Sequence, residues 1–176
     1  MVKGEKQVKP MIPQIKKILY ATDLSKNSSY AFLYAIDMAR RHDAKIIILH
    51  ALEPLPKEVR FVDALQRIES KESKGAFEQV QKLLPEFCKK TEAHIGPPCV
   101  DLVSKFLIPR GHPTEEILNA ADKESCDVIV LGTHGKGFLT HTFLGSVSES
   151  VLHRTQKPVF IIPLPSDKTT TDWIEI

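Results

Sequence analysis

The residues best suited to chemistry gather in one stretch, "GTHGKGFLTHTFLGSVSES", over 132–150. It follows the apolar run "VIVL" and sets Gly132, Gly135, Gly137 and Gly145 among hydroxyls, His134, His141 and Lys136. Glycines let backbone N–H groups approach a ligand closely. A helix beginning near Gly145–Ser146 would turn its first amides toward an anion. With the charge of Lys136, these residue types suit a phosphate cradle. A plainer reading stands beside it. The glycines then serve only turn geometry, and Ser146 with Glu149 forms a capping box that needs no ligand.

Asp23 is the second candidate. It ends the apolar segment "KKILYATD" and opens the loop "TDLSKNS". If the strands before Asp23 and before Gly132 are neighbours, its carboxylate faces the glycine loop across a crevice. There it can accept hydrogen bonds from a pair of ribose hydroxyls. The alternative is that Asp23 caps the helix that follows.

Other chemistries fit less well. A P-loop needs G-x-x-x-x-G-K-[ST] after the first strand, but Lys136 is followed by Gly137 and the first-strand loop has no glycine. A dinucleotide fingerprint would also follow the first strand. His134 and His141 have no cysteine or acidic partner at ligand spacing, so no protein metal site is expected. Ser146, His134 and Asp23 lack the G-x-S-x-G elbow of a hydrolase. No water-positioning carboxylate is evident, so no catalytic residue is assigned and any hydrolysis of a bound phosphate ester would be slow.

The elements that must position these residues read clearly. "KKILYATD" (16–23) is a first strand and 27–42 a helix with Ala31, Phe32, Ala35, Ile36 and Ala39 on one face, capped by Ser25 or Asn27. A second strand covers 44–52 and a loop 54–64. The spacing then predicts a long helix over 65–95, bent or interrupted around Gly75 and Pro85. A third strand lies within 97–111. The helix at 113–125 has Pro113 at its first position and Glu115 and Glu116 in its first turn. A fourth strand (127–132), a short helix (146–155) and a fifth strand (157–164) complete the pattern. Strand alternates with helix, and the strands are nearly continuous hydrophobic runs, as in a parallel sheet covered on both faces. The predicted fold is an open, doubly wound α/β sheet of five parallel strands in the order 3-2-1-4-5. Ligands bind such sheets at the carboxyl ends of the strands, where the order reverses.

Bulk properties set limits. The 176 residues suit one domain over 15–164, with a flexible arm at 1–14 and a tail at 165–176. Hydrophobic content of 42% and charged content of 26% are those of a soluble globular protein. A net charge of +2 gives no case for a nucleic-acid or membrane partner, and there is no long apolar run. Cys88, Cys99 and Cys126 are odd in number, without C-x-x-C spacing or a signal peptide. They read as free thiols in a reducing cytoplasm.

The sequence resembles the universal stress protein family. Gly132-x-x-Gly135, nine residues, then Gly145-Ser146 fits its signature G-x-x-G-x9-G-[ST]. "KKILYATDLS", "GHPTEEIL" and "KPVFIIP" are similar to its first strand, its G-x-P-x-x-x-I segment and its last strand. The resemblance implies the adenine nucleotide alpha hydrolase-like fold and ATP, with Mg²⁺ brought by the phosphates, between strands one and four. It implies Asp23 on the ribose, Ala21 against the nucleotide, the Ala51 backbone on the adenine and Leu131 beside ribose or base. Gly132, Gly135, Gly145, Ser146 and Val147 would surround the phosphates, with His134 and Lys136 beside them. It further implies a dimeric stress-response module with a signalling partner. The dimer would pair through the fifth strand at 159–164, from Val159 on to Leu164, where no helix follows to cover the apolar edge. The alternative is that the tail folds back over that edge through Trp173 and Ile174.

Overall fold

The computed structural model describes residues 12–25, 28–54, 62–96, 99–133 and 144–163. Five strands form one sheet: β1 (Lys17–Ala21), β2 (Lys45–Leu49), β3 (Val103–Leu107), β4 (Val128–Gly132) and β5 (Val159–Ile162). All pairings are parallel and the order is β3-β2-β1-β4-β5, as predicted. The crossovers carry α1 (Ser28–His42), α2 (Val62–Ile95), α3 (Pro113–Lys123) and α4 (Ser146–Arg154). A short 3₁₀ turn at Val100–Leu102 precedes β3.

The apolar runs divide by the period of two that a strand imposes. Ile18, Tyr20, Ile46, Ile48, Val128 and Val130 enter one core with residues of α1 and α2. Leu19, Ala21, Ile47, Leu49, Ile129 and Leu131 enter the other beneath α3 and α4. Each central strand is therefore buried on both faces. Glycine is absent where two of the helix–strand turns need a left-handed residue: Asp43 after α1 and Ser125 after α3 take φ of 50° and 54°.

Two expectations need correction. First, α2 runs unbroken through Gly75 and Pro85. Both residues face solvent. A Cβ built on Gly75 meets nothing within 4 Å, so no close approach requires a glycine there. Pro85 forfeits a backbone hydrogen bond but keeps its ring outside the core. Second, the cysteines are not all free thiols. Cys88, near the end of α2, is bonded to Cys99, with a Cα–Cα distance of 5.4 Å. The crossover into β3 brings the two together, and the cysteine count no longer argues for a reducing compartment. Cys126 stays free and buried, and burial pushes its thiol up to about 11.

β5 is an edge strand. Phe160 is 45% exposed, Val159 and Ile161 are half-buried, and Ile162 is buried. Leu164 and the tail lie outside the described residues. Among the described residues no helix is long and apolar enough to cross a membrane.

Candidate functional site

A cleft of about 860 Å³ opens over the carboxyl ends of β1, β2 and β4. Its floor follows from topology. The chain leaves β1 and β4 in adjacent strands but turns to opposite faces of the sheet, into α1 and α4. A crevice must open between them.

The β1 side is a tightly pinned loop. Thr22 N–H donates to the Leu49 carbonyl at 2.9 Å, the last rung of the β1–β2 ladder. The Thr22 hydroxyl accepts from Leu24 N–H at 3.0 Å. Leu24 holds a left-handed φ of 60°, a strained conformation for a side chain of this kind. Asp23 Oδ1 accepts from Ser25 N–H at 3.0 Å, an Asx turn. Asp23 therefore does not cap α1. That role falls to Ser25, whose carbonyl and hydroxyl oxygens accept from Ser28 N–H at 3.1 and 3.3 Å. Asp23 Oδ2 is buried and has no hydrogen-bond partner among the described residues. Behind the loop, Tyr20 donates its hydroxyl to the Ser28 carbonyl at 2.6 Å. Burial pushes that phenol up to about 12, so the donor persists at any ordinary pH.

The β2 side offers backbone. His50 and Leu52 send their N–H groups to the carbonyls of Leu107 and Pro109, toward the β3 side. Alternation turns the Ala51 N–H and C=O the other way, toward the cleft, where neither has a backbone partner among the described residues. His50 Nδ1 lies 2.9 Å from the Thr22 carbonyl. A carbonyl can only accept, so Nδ1 carries the proton and ties the β1 and β2 loops together.

The β4 side holds the start of α4. Thr133 N–H donates to the Ile162 carbonyl at 3.0 Å, and Gly145 N–H donates to the Thr133 carbonyl at 2.7 Å. The ends of the glycine stretch are thus drawn together. The buried Ser148 donates its hydroxyl to the Gly132 carbonyl at 2.7 Å. The expected capping box is absent. Gly145, not Ser146, is the N-cap, with φ −69° and ψ 150°, and no side chain caps the helix. Ser146 stands one position inside α4, exposed at the cleft wall. An extended glycine can end the loop in cap geometry, which moves Ser146 past the position from which a hydroxyl reaches the third amide.

Ala21, Asp23, Ala51, Leu131, Gly132, Gly145, Ser146 and Val147 all line this cleft. His134, Gly135 and Lys136 lie outside the described residues. Sequence reading passed over His50, Thr22 and Arg110, which also line it. A polar residue directly after an apolar strand run was the available signal for the first two. Among the described residues no group of three His, Cys, Asp or Glu side chains could hold a metal ion.

The family model for universal stress proteins matches residues 14–163. A universal stress protein of Thermus aquaticus is 35% identical over 150 residues, covering 84% of this chain and 98% of that one. Universal stress protein MJ0577 of Methanocaldococcus jannaschii is 30% identical over 165 residues, covering 84% and 94%. The solved structure of MJ0577 superposes with a TM-score of 0.65 at 27% identity, over 88% of this chain and 99% of that one. Universal stress protein UspA of Lactobacillus plantarum shares the fold, with a TM-score of 0.68 at 21% identity over 86% and 99%.

Proposed function

The chain belongs to the universal stress protein family, and on that premise we propose that it is a regulatory protein holding ATP, with Mg²⁺ brought by the phosphates, in the cleft between β1 and β4. The observation that carries this reading is the buried, unpartnered Oδ2 of Asp23. A buried carboxylate oxygen without a donor costs about 1–3 kcal/mol. A ligand hydroxyl placed there removes the cost, and a ribose diol has the right chemistry. Two further features fit the same ligand. The α4 N-terminus lacks a side-chain cap, which leaves amides for phosphate oxygens. The Ala51 N–H and C=O offer a donor and an acceptor side by side for the edge of adenine.

Mg²⁺ supplies charge neutralisation of the polyphosphate when bound. This chain's own residues orient the nucleotide and surround its ends; none is assigned a catalytic step. The protein acts as a dimer through β5, the apolar strand at the end of the sheet, and ATP occupancy biases the surface offered to a signalling partner.

Calorimetric titration of nucleotide-free protein with Mg-ATP tests the reading. Micromolar or tighter binding is expected, weakened at least tenfold in Asp23→Ala. Folded protein that binds no nucleotide would overturn it. Sedimentation of Phe160→Glu tests the dimer separately: monomer is expected, and an unchanged dimer rejects the β5 interface.

A further inference from the structure

Among the described residues only two buried side-chain polar atoms have no hydrogen-bond partner, Asp23 Oδ2 and Arg110 Nε. One is an acceptor and the other a donor. Both residues line the same cleft. Buried polar atoms are so generally paired that two orphans of opposite kind on residues lining one cleft point to one ligand.

The position of Arg110 follows from pairing that continues past the strand ends. Leu52 N–H donates to the Pro109 carbonyl at 2.8 Å, and Gly111 N–H to the Leu52 carbonyl at 2.9 Å. Arg110 thus bridges Leu52 directly. Its guanidinium is fixed at two corners: Nη1 donates to the Glu53 carbonyl, and Nη2 pairs with the Glu72 carboxylate on α2. The group is planar, so holding both Nη atoms also sets the direction of Nε–H. The side chain is 16% exposed.

Sheet order then says which part of the ligand meets it. Across the cleft the strands run β3, β2, β1, β4, about 4.8 Å apart. Arg110 stands over β3, Ala51 over β2, Asp23 over β1 and the α4 N-terminus over β4. With ribose at Asp23 and phosphates at α4, the base extends over β2 toward β3. Arg110 is thus two strands from Asp23, on the side away from the phosphates. Its charge is already matched by Glu72, so it offers the ligand a directional donor rather than a phosphate-binding charge.

We infer that Arg110 is a specificity-determining residue of the cleft, donating through Nε–H to an acceptor atom of the nucleobase. This rests on the nucleotide reading proposed above. It selects a base with an acceptor on the edge facing β3, and it favours a purine, whose second ring extends the reach from Asp23 toward β3.

The test is calorimetric, on the full chain, with wild type, Arg110→Met and Arg110→Lys. Lysine can keep the ion pair to Glu72 but has no donor at the Nε position. The probes are Mg-ATP, its 1-deaza, 3-deaza and 7-deaza analogues, each lacking one ring acceptor, and base-free ribose 5-triphosphate. In wild type, the deaza analogue lacking the acceptor that Arg110 serves should bind about tenfold more weakly than ATP, separately from any loss at the acceptor served by the Ala51 N–H, which the Arg110 variants leave in place. Both variants should bind that analogue and ATP alike, with affinity for ribose 5-triphosphate unchanged. Variants that weaken all probes equally, or that keep the gap, would show Arg110 to be only a strap between α2 and the loops. A wild type that discriminates among none of the analogues also overturns the assignment while leaving the nucleotide reading intact. Absence of any binding to wild type overturns the nucleotide reading first, and the assignment with it.

Discussion

The two ends of the sheet are built on opposite principles. At the amino end, backbone and charge are closed off. Asp127 Oδ2 accepts from Lys16 N–H and Lys17 N–H at 2.7 and 2.9 Å. Lys16, Lys17 and Lys45 donate their ammonium groups to the carbonyls of His42, Glu124 and Asp101. The Cys88–Cys99 bond ties α2 to the approach to β3. At the carboxyl end, Asp23 and Arg110 each keep a buried atom without a partner among the described residues, Leu24 is left-handed, and α4 has no side-chain cap. A structure stabilised at one end can carry unmet hydrogen bonds at the other. That contrast supports the carboxyl end as the place of the proposed nucleotide more than any single residue does.

The largest stability effect should come from the amino end. Reducing Cys88–Cys99 opens a loop of 11 residues in sequence separation. Loop closure of that length is worth about 3 kcal/mol. Urea midpoints of oxidised and reduced protein measure the loss. Nucleotide affinity of the folded, reduced protein should stay within about twofold, and a large loss would break the division between the ends.

A matched pair of aspartates sharpens it. Asp127→Ala removes an acceptor of two backbone N–H groups and should cost about 1.5 kcal/mol, with little change in nucleotide affinity. Asp23→Ala loses one hydrogen bond but also removes a buried orphan oxygen. The two effects nearly cancel, so stability should lie within about 0.5 kcal/mol of wild type or rise, while nucleotide affinity falls. Equal destabilisation by both would mean that Asp23 is structural.

Much of this was legible in the sequence. Apolar runs such as "KIIIL" and "VIVL" can only be buried on both faces, and their alternation with amphipathic segments dictates a parallel sheet. Gly132, Gly145 and Asp23 were legible because their types are unusual beside such strands. Arg110 was not, because its place depends on pairing that continues past the ends of β2 and β3. The disulfide was hidden for a related reason: only the docking of α2 places Cys88 beside Cys99. Ser146 misled because a capping box needs the helix to start one residue later than it does.

A gentler change tests the open helix end. Gly145 already has the extended conformation of an N-cap, so Gly145→Asp should supply the missing side-chain acceptor. The gain over glycine is only a few tenths of a kcal/mol. The same carboxylate would occupy the amides and repel phosphate, lowering ATP affinity on the order of tenfold or more. Thermal melts and titration should therefore move in opposite directions. Movement together would show that the α4 N-terminus holds no anion.

The smallest effect belongs to the exposed rim of the closed end. Lys105 Nζ lies 2.6 Å from Glu124 Oε1, and this hydrogen bond holds the Glu124 carboxyl below its ordinary value of 4.5. A carboxyl lowered in the folded state adds stability that is complete above its unfolded value. That contribution disappears as pH falls through the lower folded value. Lys105→Met should leave stability near neutral pH slightly reduced and make the loss below pH 4.5 shallower. Urea midpoints from neutral pH down to acid measure this difference, and nucleotide affinity at neutral pH should be unmoved. An unchanged acid limb would show that solvent screens the pair completely. A change in affinity would mean that the two ends are coupled through β3, since Lys105 and Arg110 lie on the same segment of chain.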